Sequence, residues 1–335
     1  MQGNEMVGKI KTILATALAA FFSLSIGLAQ AADTPISFRL DWTVYGVHAP
    51  FFLALEKGLY KKEGLDVTIH EGQGSATVVQ QLGRGQNQLA LVDCSTLLFA
   101  VEKGLPVTVV MRVVSNILGI IYPADAPIKS PKGLEGKIIA FAPSESSGMA
   151  FSALMAADGG DIKKVNILNP ATGAKNTLLL EHRVDAIPGN INVQPQQLEA
   201  KGMKVGHFLY SDFGVKLMGQ GVVANNTFLK EHPDAVKRFL AATVEAIKMA
   251  KANPEAAVDA IIEAHPELRQ NRAIYLSQWQ ASLPGLTTPD TKDLPMGTML
   301  ASDWKEMQQV MEKGGVLNPT VAPEKIFSND YLPKN

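Results

Sequence analysis

Asp41, Trp42, Tyr45 and His48 are the stretch of this chain best equipped for chemistry. Trp42 offers a flat face for stacking, and Asp41 an acceptor for ligand N–H groups. Tyr45 and His48 add an amphipathic wall carrying a donor or an acceptor. Taken singly, each has an ordinary reading: core packing for the Trp, an exposed loop position for the Tyr and His. Their clustering within one loop is what points to a pocket.

Other polar clusters stand where chain direction changes. Gly72-Gln73-Gly74-Ser75 opens a helix, so its backbone N–H groups and the helix dipole suit a polar or anionic ligand atom, and an ordinary turn and cap is the alternative. No Gly-Lys-Ser/Thr of a P-loop follows, and Thr77 stands where a dinucleotide fingerprint needs its third Gly. Asp93-Cys94-Ser95 follows the apolar run Gln88 to Val92. Asp93 can accept from an amino group or cap the helix starting near Thr96, and Cys94 reads as a small buried residue more than as a nucleophile. Ser144-Glu145-Ser146-Ser147-Gly148 repeats the arrangement later in the chain, with Ser144 and Ser147 supplying hydroxyls beyond what one cap requires. Asn190 and Asp212 lie in two further polar loops that follow strand-like segments. The candidate ligand set is therefore Asp41, Trp42, Tyr45, His48, Gln73, Gly74, Ser75, Asp93, Cys94, Ser144, Ser147, Asn190 and Asp212.

Catalytic signatures are missing. The six His have no metal-ligand spacing, no HExxH or GxSxG pattern occurs, and no pair of acids is set apart. No cofactor, no metal and no catalysis are expected.

The elements that must position these residues alternate. Ile36 to Leu40 begins a strand, Asp41 to Pro50 is loop, and Phe51 to Lys57 is a helix ended by Gly58. Leu65 to His70 alternates apolar and polar residues as a half-buried strand does. Ser75 is placed to cap a helix over Ala76 to Leu82; a buried strand, a helix around Thr96 to Lys103 and a strand over Val107 to Val113 follow. This alternation predicts an α/β sheet. The pattern restarts with Lys137 to Ala142 as a strand and Met149 to Ala157 as a helix, then strand-like segments at 165–168, 186–188 and 204–209. A second α/β lobe over 124–222, inserted in a first lobe of 33–123 and 223–335, fits this order, with Gly221 to Ala224 as the return crossing. The rest is helical, opened by His232-Pro233, Asn253-Pro254 and His265-Pro266, and these helices are expected to pack on the first lobe.

Residues 1–32 have the form of a secretory signal: Lys9 and Lys11, an apolar run from Ile13 to Leu28, then Ala29-Gln30-Ala31 as a small-x-small cleavage pattern. The run is shorter than the ~20 residues a spanning helix needs. Removing Glu5, Lys9 and Lys11 with it takes 31 basic and 32 acidic residues to 29 and 31, a net charge of −2. A near-neutral chain without a basic run gives nucleic acid no electrostatic footprint. One cysteine excludes an intramolecular disulfide, and its distance from the cleavage point argues against a lipid anchor there.

Leu40-Asp41-Trp42, the run from His48 to Val67 and the Gly74-Ser75 loop resemble periplasmic substrate-binding proteins of ABC transporters. The group is the one that takes up the thiamine pyrimidine precursor, aliphatic sulfonates, taurine and nitrate. Leu134 to Ile138 followed by Ser144 to Gly148 is similar to the start of that family's second lobe. The resemblance implies the two-lobed periplasmic-binding-protein fold (type II), two mixed sheets flanked by helices and hinged on two crossover strands. It also implies a periplasmic monomer that closes on a small molecule and delivers it to a membrane permease. In the pyrimidine-precursor branch the Trp42 position would stack on a flat ring, with Asp41, Asp93 and Ser144 bonding its heteroatoms. The loop Gly189 to Asn192 departs from the family in lacking an aromatic residue.

A planar ligand burying ~200 Å² gains about 5 kcal/mol at ~25 cal/mol per Å², and stacking adds about 0.5–1.5 kcal/mol. Association costs at least ~4 kcal/mol, so affinity rests on matched polar groups. Asp41 and Asp93, with no Lys or Arg in the loops themselves, favour a neutral or amino-bearing heteroaromatic. Helix starts at Ser75 and Ser147 keep a sulfonate or aromatic carboxylate as the alternative. An enzyme that makes a pyrimidine on the same architecture is the alternative from another class; such an enzyme is expected to lack an export signal and to use His and Cys. An extracytoplasmic sensor or scaffold is a third.

Overall fold

The structure, a computed structural model, describes residues 33–115, 117–142, 145–171 and 173–334. The signal-like segment 1–32 and Ser144 lie outside the described residues. No helix among them is long and apolar enough to cross a membrane.

Among the described residues, ten strands follow in chain order: β1 (Thr34–Arg39), β2 (Leu65–His70), β3 (Leu89–Asp93), β4 (Val107–Val114), β5 (Leu118–Pro123), β6 (Ile138–Ala140), β7 (Asn166–Leu168), β8 (Ile187–Asn190), β9 (Val205–Leu209) and β10 (Gln220–Asn225). Five form a large sheet in the order β2-β1-β3-β10-β4. In it β1 runs parallel to β2 and β3, while β10 runs antiparallel to β3 and β4. A three-stranded sheet, β8-β5-β9, is antiparallel, and β6 and β7 pair in parallel beside it. The bridge between Ile139 and Ala186 joins β6 to the approach of β8. The chain thus leaves the large sheet between Val114 and Leu118 and returns between Leu209 and Gln220. These are the mixed sheets with helices that the α/β reading predicts.

Parallel order in β1, β2 and β3 follows from their connections, each a helix long enough to carry the chain back across the sheet. The helix Ala49–Glu56 forms between β1 and β2, and Gly58, at φ 63°, supplies the left-handed turn that stops it. Its buried face packs on Pro233–Ala252 and Pro254–Ala264. There Phe38 lies between the rings of Phe51 and Phe239, at 4.7 and 5.2 Å, and Tyr60 stacks on Phe239 at 4.9 Å. The starts of both covering helices are set locally: Pro233 and Pro254 occupy first-turn positions, where a missing N–H costs nothing.

Some local expectations change. Gly74, not Ser75, is the N-cap of the helix Ser75–Gly83, and the Ser75 hydroxyl instead accepts the Asp93 N–H at 3.0 Å. The helix expected over 149–157 is two pieces, Ser146–Met149 and Phe151–Ala157. Helices at Lys175–Leu180 and Gln194–Glu199 carry too few turns for periodicity to show. The late helices also divide. Those between Pro233 and Ser282 share a cluster with Phe38 and Leu91, and Ala301–Lys313 buries Trp304, Met307 and Met311 in a second cluster that joins Val92, Val109 and Val223 of the large sheet to Phe151 and Leu154.

Candidate functional site

Strand β1 runs parallel to its neighbours, so its carboxyl end meets the edge of the sheet where ligands of open α/β folds bind. The loop leaving it, from Asp41 to Tyr45, forms one wall of a cavity of about 250 Å³. Gly74 and Ser75 continue that wall. The loop is pinned by the backbone: Gly72 N–H donates to Trp42 O at 3.0 Å and Gly74 N–H to Asp41 O at 2.9 Å. A Cβ at Gly72 would stand 2.0 Å from Leu40 O, so this close approach requires glycine.

Asp41, 8% exposed, is held from three sides. His48 Nε2 lies 2.8 Å from Oδ1, Gln220 Nε2 donates to Oδ2 at 2.6 Å, and the Tyr45 hydroxyl donates at 3.1 Å. His48 Nδ1 accepts the Tyr45 N–H at 3.3 Å, which places the ring proton on Nε2, facing Asp41. Burial, with the charge of Asp41 beside it, pushes the Tyr45 hydroxyl well above its ordinary value, so it stays a donor. The network fixes the carboxylate, and Trp42, half-buried and packed against the core, lines the cavity beside it.

The facing wall comes from the other sheets. Glu145, Ser147, Lys175, Asn176, Asn190 and Gln194 line it. Lys175 Nζ is bound to Glu145 Oε2 and donates to Pro188 O at 2.9 Å, with the two charged side chains 8% and 7% exposed. Gln194 Oε1 accepts the Asn190 N–H at 2.6 Å and so shapes the end of β8. The two walls meet at Gln278, which is fully buried: its Oε1 accepts the Gly46 N–H at 2.9 Å and its Nε2 donates to Val193 O at 3.2 Å.

Of the residues singled out from sequence, the structure brings together Asp41, Trp42, Tyr45, Gly74, Ser75, Ser147 and Asn190 around the cavity. His48, completely buried, stands behind Asp41 and not on the lining. Gln73 is exposed and outside it. Asp93 is spent as a helix cap, its Oδ1 accepting the N–H groups of Ser95 and Thr96 at 3.0 and 3.2 Å. Cys94 is buried, its N–H donates to Gly219 O at 2.7 Å, and burial raises its thiol well above the ordinary value. It has neither access nor thiolate character. Asp212 is exposed and accepts the Leu209 N–H at 2.8 Å, a turn role.

Sequence reasoning missed Glu145, Lys175, Asn176, Gln194 and Gln220. Glu145 lay within a loop already marked by its serines, which was a usable signal. Lys175 was not legible: a lone lysine ahead of an apolar run reads as a solvated helix start, and here it is buried. The loops singled out from sequence carry no Lys or Arg, and the cation on the lining, Lys175, comes from a helix outside them.

The family model described as NMT1/THI5 like matches residues 46–257. The chain belongs to the NMT1/THI5-like family. Among relatives of this NMT1/THI5-like chain, the riboflavin-binding protein RibY of Chloroflexus aurantiacus is 24% identical over 85% of it and 82% of the relative. The formylaminopyrimidine-binding protein of Halalkalibacterium halodurans is 24% identical over 95% and 98%. A 4-amino-5-hydroxymethyl-2-methylpyrimidine phosphate synthase of Saccharomyces cerevisiae is 25% identical over 89% and 87%. The alkanesulfonate-binding protein of Xanthomonas axonopodis pv. citri, solved bound to MOPS, superposes with a TM-score of 0.69 at 15% identity, covering 90% of this chain and 99% of that one. The NMT1/THI5-like chain has the two-lobed α/β fold of periplasmic binding proteins.

Proposed function

We propose that this protein is an extracytoplasmic solute-binding protein that takes a small, single-ring heteroaromatic, pyrimidine-like in its chemistry, between two lobes and hands it to an ABC permease. The observation that carries the reading is the cavity itself: the Trp42 face beside a fixed Asp41 on one side, and a separate wall of polar side chains on the other. Its volume of about 250 Å³ is below the roughly 300–1,000 Å³ of clefts that bury drug-sized ligands. That supports one ring over a fused tricyclic flavin. The two crossings of the chain, at 115–117 and 210–219, are the hinge of this reading, with lobes 33–123 plus 223–335 and 124–222.

Binding is favoured over synthesis by the lining. Among the described residues that line the cavity there is neither His nor Cys, and His48, behind Asp41, has both ring nitrogens engaged. The location outside the cytoplasm and the permease partner are supported by the fold of the binding-protein neighbours and by the signal-like form of residues 1–32.

Native mass spectrometry of the purified protein, followed by calorimetry with formylaminopyrimidine, riboflavin and MOPS, tests the reading. A co-purified single-ring nitrogen heterocycle, and tighter binding of formylaminopyrimidine than of the other two, is expected. Turnover of the bound compound would reverse the choice in favour of an enzyme.

A further inference from the structure

The second-lobe wall holds two charges almost wholly out of water, Glu145 and Lys175, thirty residues apart. Lys175 spends two of its three donors, on Glu145 Oε2 and on Pro188 O. Glu145 is used on one oxygen only. Its Oε1 is buried and has no hydrogen-bond partner among the described residues. Asn176 Oδ1, on the same wall, is likewise buried without a partner, its amide nitrogen being turned to Gln197 Oε1 at 2.7 Å. Buried polar atoms without partners are uncommon in native proteins, and two acceptors left over on one wall of a cavity ask for donors from whatever fills it.

We infer that the Glu145–Lys175 pair is the specificity element of the cavity: it selects a ligand whose edge carries an N–H donor, and it rejects anions. Lys175 fixes Oε2, so that Oε1 is the oxygen available to the ligand. The remaining ammonium proton lies on the same pair, so pair and ligand match as acceptor plus donor against donor plus acceptor. An amino group beside a ring nitrogen has that edge. The inference rests on the proposed binding of a heteroaromatic ring and adds which edge of the ring is read.

The same pair explains why a cation on the lining does not make an anion site. A sulfonate that accepts the remaining Lys175 proton also lies against the open Glu145 carboxylate oxygen, and drawing Lys175 away would leave that carboxylate buried and uncompensated. A wall built for anions has its cation unspent. The competing view is that the pair is only a strut, holding the start of the helix Lys175–Leu180 to Pro188 at β8. A strut would be indifferent to the hydrogen-bonding edge of the ligand.

The test uses calorimetry on the full chain with three probes: a 4-aminopyrimidine, the same ring with methyl in place of the amino group, and MOPS. Wild type is expected to prefer amino over methyl at least ten-fold and to bind MOPS weakly. In Glu145→Gln the single amide oxygen is taken by Lys175 and the NH₂ faces the ligand. The amino preference should then fall at least ten-fold, while MOPS gains at least ten-fold from the released cation. Should that variant fold poorly by thermal melting, Glu145→Gln with Lys175→Met replaces both charges by neutral side chains and removes the uncompensated ion. It is expected to bind amino and methyl rings alike. An amino preference that survives in these variants overturns the inference alone. Wild-type protein that binds MOPS more tightly than the aminopyrimidine, or that binds neither ring, overturns both the inference and the function beneath it.

Discussion

Gln220 Nε2 donates to Asp41 Oδ2 at 2.6 Å, across 179 residues of sequence. Asp41 lies in the loop just after the first strand of the large sheet, and Gln220 begins the strand by which the chain returns to it. The same nitrogen reaches the Tyr45 hydroxyl at 2.7 Å, so one amide orients both polar groups beside Trp42. The approach is set one residue earlier: Gly219, at φ 74°, passes so close that a Cβ would stand 2.1 Å from Val114 O. The loop after β1 is thereby tied to the strand that returns the chain to the large sheet.

Replacing Gln220 by Leu tests that tie. The change leaves volume roughly in place and strips a buried carboxylate of one donor. Loss of about 1–3 kcal/mol is expected, the cost of an unsatisfied buried acceptor. Urea unfolding should show a lower midpoint with an unchanged slope. A midpoint equal to wild type would mean that Gln220 contributes nothing to holding Asp41.

Trp42→Ala removes the ring face and leaves the Asp41 network intact. Affinity for an aromatic ligand should fall more than ten-fold, with thermal stability little changed because Trp42 is only half-buried. Equal affinities in a titration of the two proteins would show that Trp42 packs the loop and does not touch ligand.

Closure should follow ligand. A molecule in contact with Trp42 on one wall and Glu145 on the other stabilises the state in which both are near. Small-angle scattering is expected to report a smaller radius of gyration with ligand. At a hundred times the dissociation constant, folding should gain about 2.7 kcal/mol and the melting temperature should rise accordingly. Scattering curves that coincide with and without a tight ligand would remove the hinge from the mechanism.

Asp93 gives the fold a pH dependence. Burial, chiefly, and then the charge of Asp41 push its carboxyl up to about 6, against the helix N–H groups and the Ser95 hydroxyl that favour the ion. An unfolded chain releases this proton near 3.9. Between the two values the folded protein holds a proton that the unfolded chain has lost. The stability this contributes is therefore full below about 4 and lost as pH rises through about 6. Asp93→Asn keeps a side-chain oxygen for the cap and does not titrate. Relative to wild type, this variant should gain stability between pH 4 and pH 6, by an amount on the order of 2–3 kcal/mol, and no more above that range. A difference between the two proteins that is flat across pH would mean that Asp93 titrates as an ordinary exposed acid.

Much of the large sheet was legible because its signals are local. The alternation over Leu65 to His70, the stop at Gly58 and the prolines at 233 and 254 each act within a few residues. Asp93 shows the limit. Strand end and helix start both fit its place in sequence, and only the Ser95 and Thr96 N–H groups, converging on one oxygen, make it a cap and withdraw it from the ligand. Ser147 and Asn190 were found as polar loop residues after strands, a pattern that also picked out Asp212, which has a turn to close. A loop position is local, whereas the direction in which its side chain faces is not.

By itself the sequence determined the strand-helix order, the α/β class, and the aromatic-acidic loop that leaves the first strand, since each is written in neighbours that interact along the chain. Tertiary structure alone decided which of the two acids keeps an oxygen without a partner among the described residues. Asp41 is saturated by His48, Tyr45 and Gln220, and Glu145 keeps one oxygen open only because Lys175, thirty residues on, binds the other. Buried charges are settled by their partners, and those partners come from other strands and helices that sequence spacing does not bring together.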